Sequence, residues 1–356
     1  MDKNELPKEV LTAFYKGMVI PALPLALNKD RQLDERRQRA LIRYYLDAGV
    51  GGIAVGVHTT QFEIRLPEHN LFEPLLELIN EEINCFESKT NKPIFRIAGA
   101  IGKTEQAISE AKLVQEKGYH AVLLSLAAFS GVSDDELIKH CRKVAEIIPV
   151  IGFYLQPAVG GRILGVNFWK EFSKIENVIA IKIAPFDRYK TFDVVRGVAE
   201  SGRAEEIALY TGNDDNILFE LLSEYEVNVG AKIVKKRMVG GLLGHWAVWT
   251  KAAVELLERV QNGEFENNMS DAQVLSNQIT DSNASFYDST NNFKGCITGI
   301  HQVLRRQGFL EGIWTLNENE TLSPGQREEI DRVYTSYPHL NDDEFVKENL
   351  EKWMQE

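Results

Sequence analysis

Between residues 16 and 260, eight short apolar runs alternate with amphipathic stretches, and no other feature of the chain constrains its fold as much. The runs are 18–22, 52–55, 94–98, 121–125, 150–154, 178–182, 207–210 and 238–243. Most are apolar at nearly every position, the pattern of strands buried on both faces in a parallel sheet. The stretches 34–48, 68–86, 104–117, 133–147 and 189–201 carry apolar residues at helical spacing, and several open on Ser, Thr or Asp. Eight strand-then-helix units predict a (β/α)8 TIM barrel, with a doubly wound open sheet as the competing architecture. Residues 224–237 exceed a usual connection and read as an insertion before the last strand. After 260 the alternation stops: 261–292 is polar and Asn-rich but keeps helical spacing, and 296–307 and 324–334 read as further helices. The expected organisation is a barrel over 1–260 carrying the active site and a C-terminal helical extension over 261–356.

Composition narrows the function classes. A hydrophobic share of 44% with 26% charged residues is ordinary for a globular enzyme. A formal net charge of −12 argues against a nucleic-acid surface, which needs a basic face. Three widely spaced cysteines, Cys85, Cys141 and Cys296, form neither a disulfide framework nor a CxxC site. No apolar stretch reaches the ~18 residues of a membrane span, and the start has no apolar leader, so a cytoplasmic protein is expected.

One run holds an anomaly. Lys182 lies in Asn177-Val-Ile-Ala-Ile-Lys-Ile-Ala-Pro185, almost wholly surrounded by apolar residues. Either its stem packs while its head reaches water, or the amine is buried, loses part of its charge and becomes a nucleophile toward carbonyls. In a barrel, chemistry gathers where strands end. Those ends carry Pro21-Ala-Leu-Pro24, Gly56-Val-His-Thr-Thr60, Gly99-Ala-Ile-Gly102, Tyr154, Lys182 and Thr211-Gly-Asn-Asp-Asp215. Tyr154 has its own structural reading, a tyrosine that finishes a buried strand with its hydroxyl bonded to backbone. Gly99-Ala-Ile-Gly-Lys-Thr104 ends like a phosphate loop but has Ile97 where the first glycine belongs; Thr104 reads as a helix cap. Asp214 and Asp215 read as caps for a helix starting near Asn216, and the scattered His residues give no metal spacing.

The order of these loops resembles the dihydrodipicolinate synthase/N-acetylneuraminate lyase family of Schiff-base class I aldolases, of which the chain is identified as a divergent member over residues 16–260. The resemblance implies that Lys182 condenses with the keto group of a pyruvate-like 2-oxo acid, that Tyr154 passes protons, and that no cofactor or metal is needed beyond the covalent lysine imine. It implies substrate contacts from Gly212 and Asp214 in the Gly-x-Asp-Asp turn. Where family members carry Gly-Thr-Thr-Gly-Glu, this chain has Gly56-Val57-His58-Thr59-Thr60, so either His58 or the shifted pair Thr59 and Thr60 holds the carboxylate. The Pro-Tyr-Tyr element of lysine-pathway members is replaced by Ser125-Leu-Ala-Ala-Phe129. Their arginine falls at Val159, with Arg162 as a substitute clamp. The expected function is a lyase that makes or breaks an aldol C–C bond. The alternatives are Schiff-base dehydration or decarboxylation of a sugar acid, authentic 4-hydroxy-tetrahydrodipicolinate synthase, and a catalytically silent small-acid-binding barrel. The changed loops predict poor condensation with aspartate semialdehyde. The resemblance further implies a homodimer or homotetramer, and the apolar residues Phe293, Ile297, Ile300, Val303 and Leu304 predict a helix face available for it.

Overall fold

The computed structural model describes residues 1–355. In chain order the first elements are α1 (Lys8–Lys16), β1 (Val19–Pro21), α2 (Glu35–Ala48), β2 (Gly52–Val55), α3 (Phe72–Thr90), β3 (Phe95–Ala100), α4 (Thr104–Glu116) and β4 (Ala121–Leu124). There follow α5 (Asp134–Ala145), β5 (Val150–Leu155), α6 (Val166–Ser173), β6 (Val178–Ala184), α7 (Arg188–Glu200), β7 (Ala208–Thr211), α8 (Ile217–Leu222), β8 (Glu224–Val229) and β9 (Lys232–Leu243). Four elements of the C-terminal region follow α9 (Thr250–Gln261): α10 (Met269–Phe286), α11 (Cys296–Arg306), α12 (Gln326–Ser336) and α13 (Asp343–Trp353). The alternation is that of a (β/α)8 barrel with C-terminal helices, and no described helix is long and apolar enough to cross a membrane.

The chain forms two compact units, 1–18 with 95–242, and 19–94 with 243–356. In the first, β3, β4, β5, β6, β7 and β9 lie side by side, each pair parallel. All residues of β3, β4, β6 and β7 are buried, which is why their sequences are continuous apolar runs. The helices start where local chemistry directs. Ser133 and Glu136 make a reciprocal capping box at α5, and Asp187 accepts from the Tyr189 and Lys190 N–H groups at α7. The aromatic ring of Phe14 on α1 stacks on Phe95 at 4.3 Å and on Tyr210 at 4.8 Å, and the Tyr210 hydroxyl donates to the Phe14 carbonyl at 2.6 Å.

One irregularity matters for chemistry. Along β5 and β6 the pairing begins Val150 with Val178 but continues Ile151 with Ala180, so β6 holds one extra residue. Beyond this bulge Phe153 pairs with Lys182 and Tyr154 with Ile183. A one-residue slip exchanges the two faces of a strand.

The expected insertion at 224–237 is a hairpin. Strand β8 pairs antiparallel with the first half of β9 from Glu224–Arg237 to Val229–Lys232. Its charges alternate across the strands, with Lys235 bridging Glu224 at 3.0 Å and Glu226 at 2.9 Å. The last barrel strand is therefore longer than the apolar run 238–243.

In the second unit β1 lies parallel to β2, with Gly51 N–H donating to Val19 O and Leu23 N–H to Ala54 O. Helix α11 packs with α10 and α12. Of the residues that suggested assembly, Ile297, Ile300, Val303 and Leu304 are buried within the chain and Phe293 is half-buried, so the helix face itself gives little argument for a dimer or tetramer.

Candidate active site

Lys182 sits near the C-terminal end of β6, with 7% of its surface exposed. The lysine stem runs past Gly212: a Cβ there would lie 2.7 Å from Lys182 Cε and 2.9 Å from Ala184 Cβ. A glycine is what leaves the amine room. Burial pushes the Lys182 ammonium down to about 8, while the Asp214 carboxylate acts in the opposite direction. At neutral pH the neutral, nucleophilic amine is therefore far better populated than in an exposed lysine. The second of the two sequence readings of Lys182, the buried amine, is the one the structure has.

Asp214 follows β7 and is 5% exposed. The N-cap position of α8 is held by Asn216, whose side chain makes no cap bond. Asn213, which sequence reasoning passed over, braces the floor of this region. Its Oδ1 accepts from Phe186 N–H at 3.0 Å, its Nδ2 donates to Thr191 Oγ1 at 3.0 Å, and its own N–H donates to Thr211 Oγ1 at 3.1 Å. Phe186 has φ +52°, an unfavourable backbone state for a bulky residue, and the Asn213 bond helps hold it.

Tyr154 does not share a face of the sheet with Lys182. The β6 bulge places it on the face opposite Lys182, where its ring packs on Trp169 of α6 at 5.1 Å. Its hydroxyl donates to Leu164 O and accepts from Leu164 N–H, both at 3.2 Å. Burial pushes its phenol up, and the charges that act on it, Asp193 and Asp187, belong to α7 and its cap. These contacts are those of a tyrosine that finishes a buried strand with its hydroxyl bonded to backbone. The residue beside Lys182 is Phe153, whose ring centroid is 4.6 Å from Nζ.

Arg162 is engaged by a neighbouring loop. Its Nη1 donates to Phe129 O at 2.7 Å and its Nη2 to Val132 O at 3.1 Å, with Asp134 at 3.8 Å. The guanidinium braces the loop between β4 and α5. Thr104 is the first residue of α4, not its cap, and its hydroxyl is 3.0 Å from His140 Nδ1.

In the second unit, His58, Thr59 and Thr60 form one turn of 3-10 helix after β2. Thr60 is fully buried; its hydroxyl donates to Leu23 O at 2.7 Å and accepts from Gly56 N–H at 3.0 Å, so it pins the loop. Half-buried His58 faces Phe62 edge-on at 6.2 Å. Thr59 points its hydroxyl toward Gly244, the same spot bordered by the hydroxyl of Tyr287, a residue no sequence motif singled out. Among the described residues, no group of three or more His, Cys, Asp or Glu side chains has the geometry to hold a metal ion.

Residues 16–281 match the model of the dihydrodipicolinate synthetase family. N-acetylneuraminate lyase 2 of Escherichia coli O6:H1 is 24% identical over 299 residues, 83% of this chain and 86% of its own. Dihydrodipicolinate synthase from Oceanobacillus iheyensis superposes with a TM-score of 0.71 at 18% identity, covering 90% of this chain and 95% of that one. A dihydrodipicolinic acid synthase family protein of Escherichia coli K12, solved in complex with pyruvate, gives a TM-score of 0.70 at 18% identity over 92% of this chain and 99% of its own. These structures share the fold of this chain.

Proposed function

The chain belongs to the dihydrodipicolinate synthetase family and is a lyase of the class I aldolase type; from that premise we propose that Lys182 forms a covalent imine with a pyruvate-like 2-oxo acid and uses it to make or break the adjacent C–C bond. The observation that carries this reading is the buried amine itself, held at about 8 among apolar strands and cleared by Gly212. The pyruvate complex of the Escherichia coli relative supports the substrate class.

The chemistry balances as follows. Lys182 releases one proton and its neutral amine adds to the keto carbon, with one N–H proton passing to the former carbonyl oxygen. Return of a proton to that oxygen lets it leave as water, and the nitrogen keeps a positive charge. The hydroxyl on the carbon beyond the α-carbon gives up its proton to a base, its C–O bond becomes C=O as the C–C bond breaks, and the iminium takes the electron pair of that bond, so an aldehyde departs and an enamine remains. Protonation of the enamine carbon and hydrolysis release the 2-oxo acid. Condensation is the same path reversed. We further propose that Asp214 balances the charge of the amine and that Gly212 shapes its access.

A second reading, dehydration or decarboxylation of a sugar acid through the same imine, is favoured by two observations. Phe153 rather than a phenol lies beside the amine. Arg162 is bonded to loop carbonyls and offers no free clamp for an acceptor carboxylate. Both also keep the expectation of poor condensation with aspartate semialdehyde. The test is reductive trapping of the protein with a panel of 2-oxo acids, followed by mass mapping and by product analysis on substrates that form an adduct. The expected adduct lies on Lys182 and disappears in Lys182→Ala. Absence of any adduct, or an adduct on another lysine, defeats the reading.

A further inference from the structure

Side chains of neighbouring parallel strands that pair in register project to the same face. In β5 the parity is marked by Gly152, where a Cβ would strike the Phe172 ring of α6 at 2.7 Å, so Gly152 and Tyr154 face the helices. Phe153 faces the other way. It pairs with Lys182, is 6% exposed, and sets its ring face 4.6 Å from the lysine nitrogen. On the same side, Lys182 passes Ala184 and Gly212. The amine thus has an aromatic π-face on one side, a carboxylate-bearing turn after β7, and little water.

The face of a benzene ring is electronegative and attracts a nearby cation, most strongly where solvent is excluded. Two cations occur in sequence on this nitrogen if Lys182 forms an imine: the ammonium before attack and the iminium after water leaves. Both lie within reach of the ring. Tyr154, in contrast, has its hydroxyl engaged twice by the Leu164 backbone on the far side of the strand.

We propose that Phe153 is the positioning residue for the Lys182 amine, holding its ammonium and its cationic imine against the ring, and that Tyr154 takes no part in proton transfer. This rests on the reading of Lys182 as the imine-forming residue and deepens it. The ring also favours the protonated amine, so it raises the pH at which the nucleophile appears above the value that burial alone would give. That property separates a positioning role from mere packing, which has no reason to move a titration.

The experiment follows the initial rate of adduct formation with pyruvate and cyanoborohydride on the full chain as a function of pH. Wild type, Phe153→Leu, Phe153→Met, Phe153→Tyr and Tyr154→Phe are compared, with the melting transition of each recorded. Loss of a desolvated cation–π contact is expected to move the midpoint toward acid by about one pH unit in Phe153→Leu. Phe153→Met, which nearly conserves volume, shifts in the same direction if the leucine variant does not fold. Phe153→Tyr keeps the wild-type midpoint because its ring keeps a π-face. Tyr154→Phe keeps both midpoint and rate and loses only stability. A wild-type midpoint in folded Phe153→Leu or Phe153→Met overturns the proposal, as does loss of adduct formation in folded Tyr154→Phe. A wild type that gives no Lys182 adduct overturns the imine reading itself, an outcome distinct from an adduct whose titration ignores residue 153.

Discussion

Replacing Gly212 by alanine adds one methyl group at the tightest approach to Lys182. The ideal Cβ lies 2.7 Å from Lys182 Cε, 3.1 Å from Lys182 Cγ and 2.9 Å from Ala184 Cβ. Non-bonded carbons rest about 3.5–4.0 Å apart, so relief requires a displacement of about 1 Å. Gly212 does not have a left-handed φ, so the backbone accepts alanine and the effect is steric. Ala184 is anchored in β6, and its Cβ cannot swing away. The displacement therefore falls on the lysine stem. Misplacement of a reacting group by about 1 Å costs on the order of 10²-fold in rate, while overpacking costs about 1–3 kcal/mol of stability. Adduct formation with pyruvate should slow by about that factor in a variant that still melts cooperatively. Adding Ala184→Gly removes one of the two collisions and should recover part of the rate. A folded Gly212→Ala variant that traps pyruvate as fast as wild type would refute the claim that this glycine exists to clear the amine.

Four further outcomes are expected. The rate of imine formation should rise about tenfold per pH unit below about 8 and level off above it, because only the neutral amine attacks. Asp214→Asn removes the charge that favours the ammonium, so the midpoint should move toward acid; an unmoved midpoint denies the coupling. Arg162→Met should lower stability by about 1–3 kcal/mol through the unpaired carbonyls of Phe129 and Val132, read by urea unfolding, with KM for the 2-oxo acid unchanged; a tenfold higher KM at full stability would restore the clamp role. Phe14→Ala deletes a ring stacked on Phe95 and Tyr210 and should cost about 3–5 kcal/mol, and a loss in denaturant titration below about 1 kcal/mol would show that the stacking contributes little.

Most of the fold was readable because buried parallel strands have to be apolar throughout. The runs 121–125, 178–182 and 207–210 each overlap a strand by all but a residue or two for that reason. The hairpin was not readable as strands. Its sequence, Glu224 to Arg237, is largely exposed, so no burial pattern marks it, and its evidence lies in cross-strand charge pairs that exist only once the strands meet. Helix α13 was missed because only Val346 and Trp353 are buried along it, too sparse a stripe to stand out.

The site divides along the same physical line. Lys182 was identifiable because a charge among apolar residues is anomalous on one strand, without reference to any other. Tyr154 depended on a relation between two strands. Counted from Val150 and from Val178, Tyr154 and Lys182 occupy the same position, and an unbroken register would pair them. The extra residue in β6 between Val178 and Ala180 shifts that pairing by one, so Phe153 takes the place at the amine and the tyrosine turns to the helices. Nothing in Val178-Ile-Ala-Ile-Lys182 signals a bulge, since it contains no glycine and every residue is suited to a regular strand. Packing supplies what the local sequence lacks. With Gly152 open to Phe172 and Tyr154 stacked on Trp169, the outer face of β5 is fitted to α6 in one parity only. Restoring Tyr154 to the Lys182 side would drive Phe153 outward and place Gly152 inward, leaving Phe172 without its gap, so the helix contact and the identity of the residue at the amine are set by the same register.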